Sequence, residues 1–325
     1  MPSIITHHLF GTELYEELHE TLGSSKAEAD AFLLGNQGPD PLLYLFMNPF
    51  LLKERDLASR MHQEKTAELL AALPKAVSVL PREEQPIGRS WACGFWCHYA
   101  LDSCVHPLVY AQTYALCDAG EPDLTLQDRY CVHDLIESEW DELMLWKKRN
   151  CTIASFNPAE EILIADTPVV HIVAKMCVFL ALEVYNEIIP LHTYATGLYT
   201  FRASQRLLHS PHGYKRAALG AIERTVRKRH SLLQALSHRP CPLEESLFEN
   251  RNCMPWIDPF TQTERKEDFF TLYHRAKGLS KAGTMLFDCK TTTLEDIRAL
   301  TGERNMSGRP TRASIIEVCE AGAHA

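Results

Sequence analysis

Apolar residues recur at intervals of three and four along most of this chain, the spacing that places them on one side of an α-helix. Stretches in which apolar and polar residues alternate, as in a half-buried strand, are scarce. This pattern predicts an all-α protein whose helices bury their apolar sides against one another. The 325 residues, 46% of them hydrophobic, supply enough apolar side chains for a sizeable core.

The periodicity predicts a series of helices separated by Pro-rich and Gly-rich turns. We expect a multi-helix domain over residues 1–237 and a partly irregular C-terminal extension over 238–325, with a loosely ordered tail after Gly302. Segment 238–262 is rich in Pro and Asn and predicts an extended connection. The predicted helices lie near residues 10–22, 25–35, 54–73, 89–117, 125–148, 168–188, 212–237, 263–281 and 293–301.

Charge and cysteine usage limit the classes of function. The formal net charge of −9 disfavours a stable nucleic acid partner, because Lys and Arg contacts to phosphate supply most of such affinity. The most apolar helix, near Met176–Leu182, is flanked by Lys175 and Glu183, so no transmembrane segment is predicted. The first residues do not read as a secretory signal, and the odd number of cysteines, 11, lacks disulfide-like spacing; both predict a cytoplasmic protein.

One segment, GFWCHYALDSCVHP at residues 94–107, carries side chains suited to metal binding. His98, Asp102 and His106 are spaced by four, so a helix projects all three from one side. This spacing lets His98 and Asp102 hold one ion, and His106, one turn further, reach a second. Pro107 is expected to end or kink the helix just beyond them.

A second segment, HDLIESEWD at residues 133–141, repeats the pattern with His133 and Glu137 four apart. Two helices of this kind facing each other predict a site for several metal ions, because imidazole nitrogen and carboxylate oxygen are standard zinc ligands.

Three further residues fit the same scheme. Asp40 lies in a stiff Gly-Pro-Asp-Pro turn, His62 on the helix that follows, and His7 beside His8 near the start of the chain. Taken singly, each pair or residue has an ordinary explanation, such as a solvated helix pair or a turn residue. Cys93, Cys97 and Cys104 share a helical stripe, but free cysteines are more often small buried hydrophobes than ligands.

The ordered series Thr6–His7, Gly35–Asp40, His62, His98–Pro107 and His133–Glu137 resembles the bacterial zinc-dependent phospholipase C family. That family is related in fold to the single-strand-specific S1/P1-type nucleases. The resemblance covers roughly residues 1–148 and implies an all-α bundle with the metal site between helices.

The resemblance also implies how the ligands are shared among zinc ions. One ion would be held by Asp40, His62, His98 and Asp102, and a second by His106, His133 and Glu137. Asp102 would bridge to a third, which His7 also binds. Secreted members complete the third site with an N-terminal Trp, whereas this sequence begins MPSIIT, so two or three zinc ions are expected.

The predicted activity is hydrolysis of a phosphate ester by water that zinc acidifies. The predicted substrate is a phosphodiester, the one that joins the head group of a phospholipid. Asp40 is the candidate catalytic residue, because a turn carboxylate at the edge of the site can take a proton from that water. Two alternatives stay open: a structural or regulatory zinc-binding helical protein without catalysis, and a single-strand-type nuclease. The sequence leaves the oligomeric state and the role of residues 149–325 undetermined.

Overall fold

The computed structural model describes residues 4–47, 51–120, 124–226, 231–289 and 291–311. It is 69% helical, which confirms the all-α prediction. Within the described ranges the α-helices are α1 Ile4–Leu22, α2 Lys26–Gly35, α3 Asp40–Leu43, α4 Leu52–Gln63, α5 Thr66–Ser78, α6 Gln85–Cys117, α7 Arg129–Arg149, α8 Pro158–Glu161, α9 Thr167–Tyr185, α10 Thr193–Leu208, α11 Tyr214–Val226, α12 Leu232–Ala235, α13 Phe269–Asp288 and α14 Leu294–Thr301. A hairpin of β1 Trp256–Ile257 and β2 Glu264–Arg265 pairs antiparallel, with Trp256 opposite Arg265.

The described residues fall into two compact units that interleave along the chain. The first unit draws on Met1–Phe10, Pro107–Ile164 and Phe201–Thr271. The second draws on Gly11–His106, Ala165–Thr200 and Leu272–Ala325. The expected division into a domain ending at residue 237 and an extension after it stays a prediction.

The core of the second unit is built around the N-terminal part of α6. Trp91, Phe95, Trp96 and Tyr99 are all almost fully buried there, and Trp96 meets Tyr99 edge to face with ring centroids 5.9 Å apart. Burying aromatic side chains of this size is a large part of what stabilises a helical core. These rings hold rigid the helix turns that carry the candidate ligands.

The core of the first unit lies along α7. Ile136, Trp140 and Leu143 recur at helical spacing and are buried, and the Trp140 ring lies 4.5 Å from that of Phe269. The periodicity that predicted this helix is therefore the periodicity of its buried side.

Helix α9 is the most apolar helix and has the length and composition of a membrane span. Half of it is buried inside the protein. Lys175 pairs with Glu84 at 2.7 Å, and Glu183 pairs with Lys75 at 3.1 Å. Charged residues paired within the unit and a buried apolar side are typical of a core helix, so no clear transmembrane segment is present among the described residues.

Several sequence predictions need correction. The helix predicted over 54–73 is two helices, because Lys65 adopts a left-handed backbone (φ +53°) between α4 and α5. Pro107 neither ends nor breaks α6, which continues for ten residues to Cys117. Helix α10 was not predicted at all. The prediction over 212–237 corresponds to α11 and α12, with residues 227–230 outside the described part.

The predicted loose tail after Gly302 is also wrong for residues 303–311. Met306 there is fully buried, and Arg304 forms a bridge with Pro310. Residues 312–325 lie outside the described part.

Candidate metal site

Helix α6 brings three candidate ligands of the second unit into line. His98 and Asp102 are buried, with His98 Nε2 3.4 Å from Asp102 Oδ2. One turn further, His106 Nδ1 lies 3.7 Å from the same Asp102 oxygen. The three side chains therefore lie along one face, as the spacing of four predicted.

A tight turn and a short helix bring Asp40 to the same place. Gly38 takes a positive φ of +50°, and Asp40 begins α3 directly afterwards. The buried Asp40 carboxylate meets His62 of α4, with 3.0 Å between Oδ1 and Nε2. The same oxygen lies 3.9 Å from His98 Nε2. The structure thus gathers four of the predicted ligands within one unit.

Two glycines allow the turn to come this close to α6. A Cβ atom at Gly35 would lie 2.1 Å from the carbonyl oxygen of Trp91, and one at Gly94 would lie 2.1 Å from that of Phe32. No side chain fits at either position, so the backbones of α2 and α6 touch. That contact sets the turn at Gly38 directly against the ring of His98.

Three donor-to-donor distances in this cluster are close to those that one small ion requires. Zinc binds imidazole nitrogen at about 2.0–2.1 Å, which places two ligands at a tetrahedral angle about 3.3–3.4 Å apart. The three distances given above, from 3.0 to 3.9 Å, bracket that value. One ligand atom each from His62, His98 and Asp102 all lie within 4.8 Å of one another. Two imidazoles and carboxylate oxygens in this arrangement fit zinc.

The histidines are also oriented as metal ligands are. In three of the rings, Nδ1 lies near a backbone carbonyl oxygen. The distance is 2.7 Å from His62 Nδ1 to the carbonyl of Ala58 and 3.2 Å from His98 Nδ1 to that of Asn36. It is 3.0 Å from His106 Nδ1 to the carbonyl of Met306. A carbonyl can only accept, so Nδ1–H donates, and Nε2 is the ring nitrogen left to bind a metal ion. Metal-binding histidines almost always donate a hydrogen bond from the N–H of the ring nitrogen that does not bind the metal.

The electrostatics of the cluster favour positive charge. Burial alone would lower the pKa of His62, but the hydrogen bond and charge of Asp40 and the charge of Asp102 outweigh it and raise that pKa. Two buried carboxylates drawn towards one point attract a cation, and a divalent ion satisfies both.

The first unit carries the other predicted ligands. His133 and Glu137 pair one turn apart on α7, with 3.4 Å between Nε2 and Oε1. The His133 ring also packs against Tyr110, with ring centroids 4.9 Å apart. His7 is buried on the first turn of α1. The assignment of His106, His133 and Glu137 to a second ion, and of His7 to a third, stays a prediction.

Sequence reasoning missed what holds His7 in place. Asp141, fully buried on α7, accepts hydrogen bonds from the backbone N–H groups of Ile5 and Thr6 at 3.2 and 2.7 Å and from the Thr6 hydroxyl at 2.6 Å. His238 Nε2 lies 3.0 Å from Oδ2 of Asp141, the oxygen that also accepts from Ile5 N–H. A carboxylate at the start of a helix satisfies N–H groups that the helix leaves without partners and complements its dipole. Asp141 therefore fixes the turn from which His7 projects.

Fold and site together define an all-α protein with a buried His/Asp site suited to zinc. Residues 6–143 match the family model described as zinc dependent phospholipase C, which supports the resemblance drawn from the sequence. All eight predicted ligands, from His7 to Glu137, fall within the matched segment. No curated protein and no solved structure matches the chain.

Proposed function

We propose that the protein is a zinc-dependent hydrolase of phosphodiesters whose substrate is a phospholipid, cleaved at the head-group phosphate. The observation that carries the proposal is the buried group of His62, His98 and Asp102, whose donor atoms lie within 4.8 Å of one another. The Asp40 carboxylate lies 3.0 Å from His62 and 3.9 Å from His98. The place of these residues within the segment that matches the zinc-dependent phospholipase C family model supports phosphodiester chemistry in particular.

In this proposal the chain's own residues hold and orient the ion. His62 and His98 present Nε2, because each Nδ1–H is donated to a carbonyl, and Asp40 and Asp102 supply the charge. Bound zinc would supply the chemistry that such hydrolysis needs, by acidifying water and polarising a phosphate oxygen. The buried aromatic residues on the same part of α6, Trp96 and Tyr99 among them, would restrict the movement of these side chains.

Asp40 is the residue we assign to proton transfer. Its carboxylate follows a turn instead of lying within a long helix, and its Oδ1 lies 3.0 Å from Nε2 of His62, the nitrogen that would bind the ion. A carboxylate has about four lone-pair sites on its two oxygens, so one that contributes to the ion's site keeps acceptor sites for a proton released by the attacking water. No serine or cysteine nucleophile is required.

The remaining assignments are part of the same proposal. His7, His106, His133 and Glu137 would extend the site to more than one ion, as the resemblance implies. The cysteines of the described residues all have free thiols, which supports a location in the reducing cytoplasm.

Metal content and hydrolysis, measured on the same full-length preparation, test the proposal. Protein purified without chelator is analysed for zinc per chain and assayed on p-nitrophenyl phosphorylcholine and on phosphatidylcholine vesicles. Asp102→Asn replaces a ligand oxygen by an amide at almost constant volume, and Asp118→Asn, exposed just beyond α6, is the matched control. We expect zinc and activity in the wild type and the control, and at least a ~100-fold loss of activity with loss of zinc in Asp102→Asn.

Other outcomes identify the alternatives. Bound zinc without hydrolysis of either ester or of single-stranded DNA would indicate a structural or regulatory zinc protein. Cleavage of single-stranded DNA alone would indicate a nuclease. Absence of zinc from the wild type would overturn the metal site itself.

A further inference from the structure

A segment far from the family match packs against the candidate ligands. Residues Glu303–Thr311, here called the C-terminal strap, follow α14 and fold back on themselves: Asn305 N–H donates to Arg309 at 2.9 Å, and Thr311 N–H donates to Glu303 at 2.8 Å. At its tip, Met306 is fully buried. The strap is therefore an ordered part of the second unit.

The backbone of Met306 joins two helices that carry ligands. Its N–H donates to the carbonyl oxygen of His62 at 3.1 Å, and its own carbonyl lies 3.0 Å from Nδ1 of His106. One residue of the strap thus touches the end of α4 and the middle of α6 at the same time.

The contact with His106 completes a pattern. His62 donates Nδ1–H to Ala58 in its own helix, and His98 donates to Asn36 in the adjoining turn. His106 has its carbonyl partner in the strap, 200 residues further along the chain. The role filled for His62 within its own helix, and for His98 by the turn after α2, is filled for His106 by the C-terminal strap.

Side chains fasten the strap at both ends of this contact. The Tyr99 hydroxyl donates to the carbonyl of Arg304 at 3.1 Å. Asn305 Nδ2 donates to the carbonyl of Gln63, next to His62, at 3.4 Å, while its Oδ1 accepts from the N–H groups of Ser307 and Arg309, both at 3.0 Å. Asn305 therefore shapes the turn that presents the Met306 carbonyl.

We propose that the C-terminal strap is a positioning element of the metal site: the Met306 carbonyl holds the His106 ring so that Nε2 is its metal-binding nitrogen, and Asn305 holds that carbonyl in place. This inference rests on the proposed function only in that zinc binds His106. Partners of this kind typically contribute 10–100-fold to metal affinity.

The test uses zinc affinity, not activity. Full-length variants are stripped of metal, and zinc binding is measured by competition with a chromophoric chelator. Asn305→Ala removes the turn, whereas Asn305→Asp keeps the Oδ1 acceptor. Asn250→Ala is the matched control, because Asn250 shapes a similar turn by accepting from Met254 N–H at 3.1 Å in the first unit. Each strap variant is repeated in a His106→Ala background.

We expect Asn305→Ala to weaken zinc binding about 10–100-fold, Asn305→Asp to stay within about threefold of wild type, and Asn250→Ala to have no effect. In the His106→Ala background, Asn305→Ala should cause no further loss, because residues that act through one another are not additive. Wild-type affinity in Asn305→Ala, or an equal loss in both backgrounds, would overturn the proposal.

These outcomes are separable from the proposed function. A wild-type protein that binds zinc but hydrolyses no phosphodiester would refute the function and leave the strap measurement valid. A wild-type protein that binds no zinc would refute both.

Discussion

Replacing Gly38 by alanine should damage the metal site through a single methyl group. A Cβ atom at this position would lie 2.2 Å from Cδ2 of His98, 2.4 Å from Cγ and 2.6 Å from Nε2. Ordinary carbon contacts begin near 3.5 Å. The His98 ring must therefore retreat by about 1 Å, although it is fully buried and has little room to do so.

The expected magnitude follows from the tolerance of a metal site. Zinc–ligand distances hold within about 0.2 Å, so a shift of about 1 Å removes His98 from the coordination sphere. We expect zinc affinity to fall at least about 100-fold. Alanine at a φ of +50° also strains the backbone by about 1–2 kcal/mol, and this cost must be separated from the steric one.

Gly302→Ala provides that separation. Gly302 ends α14 with a φ of +57°, almost the same backbone conformation, but a Cβ atom there would meet nothing within 4 Å. Both variants lie in the second unit and pay a similar conformational cost. Zinc affinity by chelator competition and thermal unfolding of the metal-free proteins are measured for both.

A zinc affinity of Gly38→Ala within about threefold of that of Gly302→Ala would refute this reasoning. His98 would then either tolerate the displacement or not be a ligand. If the metal-free Gly38→Ala protein is unfolded, zinc affinity is measured instead on Gly38→Ala combined with His98→Ala. That pair removes most of the clash and should match His98→Ala alone.

Two further predictions concern buried carboxylates. Asp141→Asn should lower the free energy of unfolding by about 3 kcal/mol, because an amide nitrogen would face the N–H donors of α1. The measurement is urea titration with chelator present, and an unchanged stability would show that the Asp141 hydrogen bonds are not needed. Glu249 is 2% exposed, and burial raises its pKa. Its carboxyl is neutral in both states below its ordinary pKa of about 4.5, and stability is lost as the pH rises through the raised value in the folded state. Glu249→Gln should therefore be more stable than wild type at pH 8 and equal to it at pH 4, whereas the exposed Glu244→Gln should match wild type at both.

The shared face of the candidate ligands on α6 was predictable from the sequence because their spacing is a local property. His98, Asp102 and His106 needed only a helix to share a face, and the strong periodicity around them made that helix evident. Asp40 and His62 were recognised through their order in the resemblance, since nothing in a 22-residue separation shows that their side chains touch. The structure supplied that contact, at 3.0 Å.

The errors have physical causes too. Pro107 removes one hydrogen bond from α6, at a cost of about 3 kcal/mol, but Leu108 and Val109 directly after it are buried and offset that cost. Helix α10 was missed because its threonines and Gly197 have weak helix propensity. Its buried residues Tyr194, Leu198 and Phe201 nevertheless recur at helical spacing, so closer attention to the pattern could have found it.

The residues that orient the candidate ligands could not be predicted from the periodicity of the sequence. Asn36 and Met306 act through backbone carbonyls, which every residue has, so residue type gives no signal. Asp141 lies four residues after Glu137 on the same helix, and its role appears only in its contacts with α1 and His238. Ligands are specified by side-chain chemistry, whereas their orientation is specified by tertiary contacts.

Residues outside the segment that matches the family model contact residues inside it. Residues 6–143 contain every predicted ligand, yet two contacts that orient them come from outside it. Met306 supplies the acceptor for His106 in the second unit, and His238 supplies a donor to Asp141 in the first. A fragment ending near residue 148 would keep the complete ligand set but leave His106 and Asp141 without these partners. Residues beyond the match therefore help to build the site, which makes the full chain the unit on which metal binding must be measured.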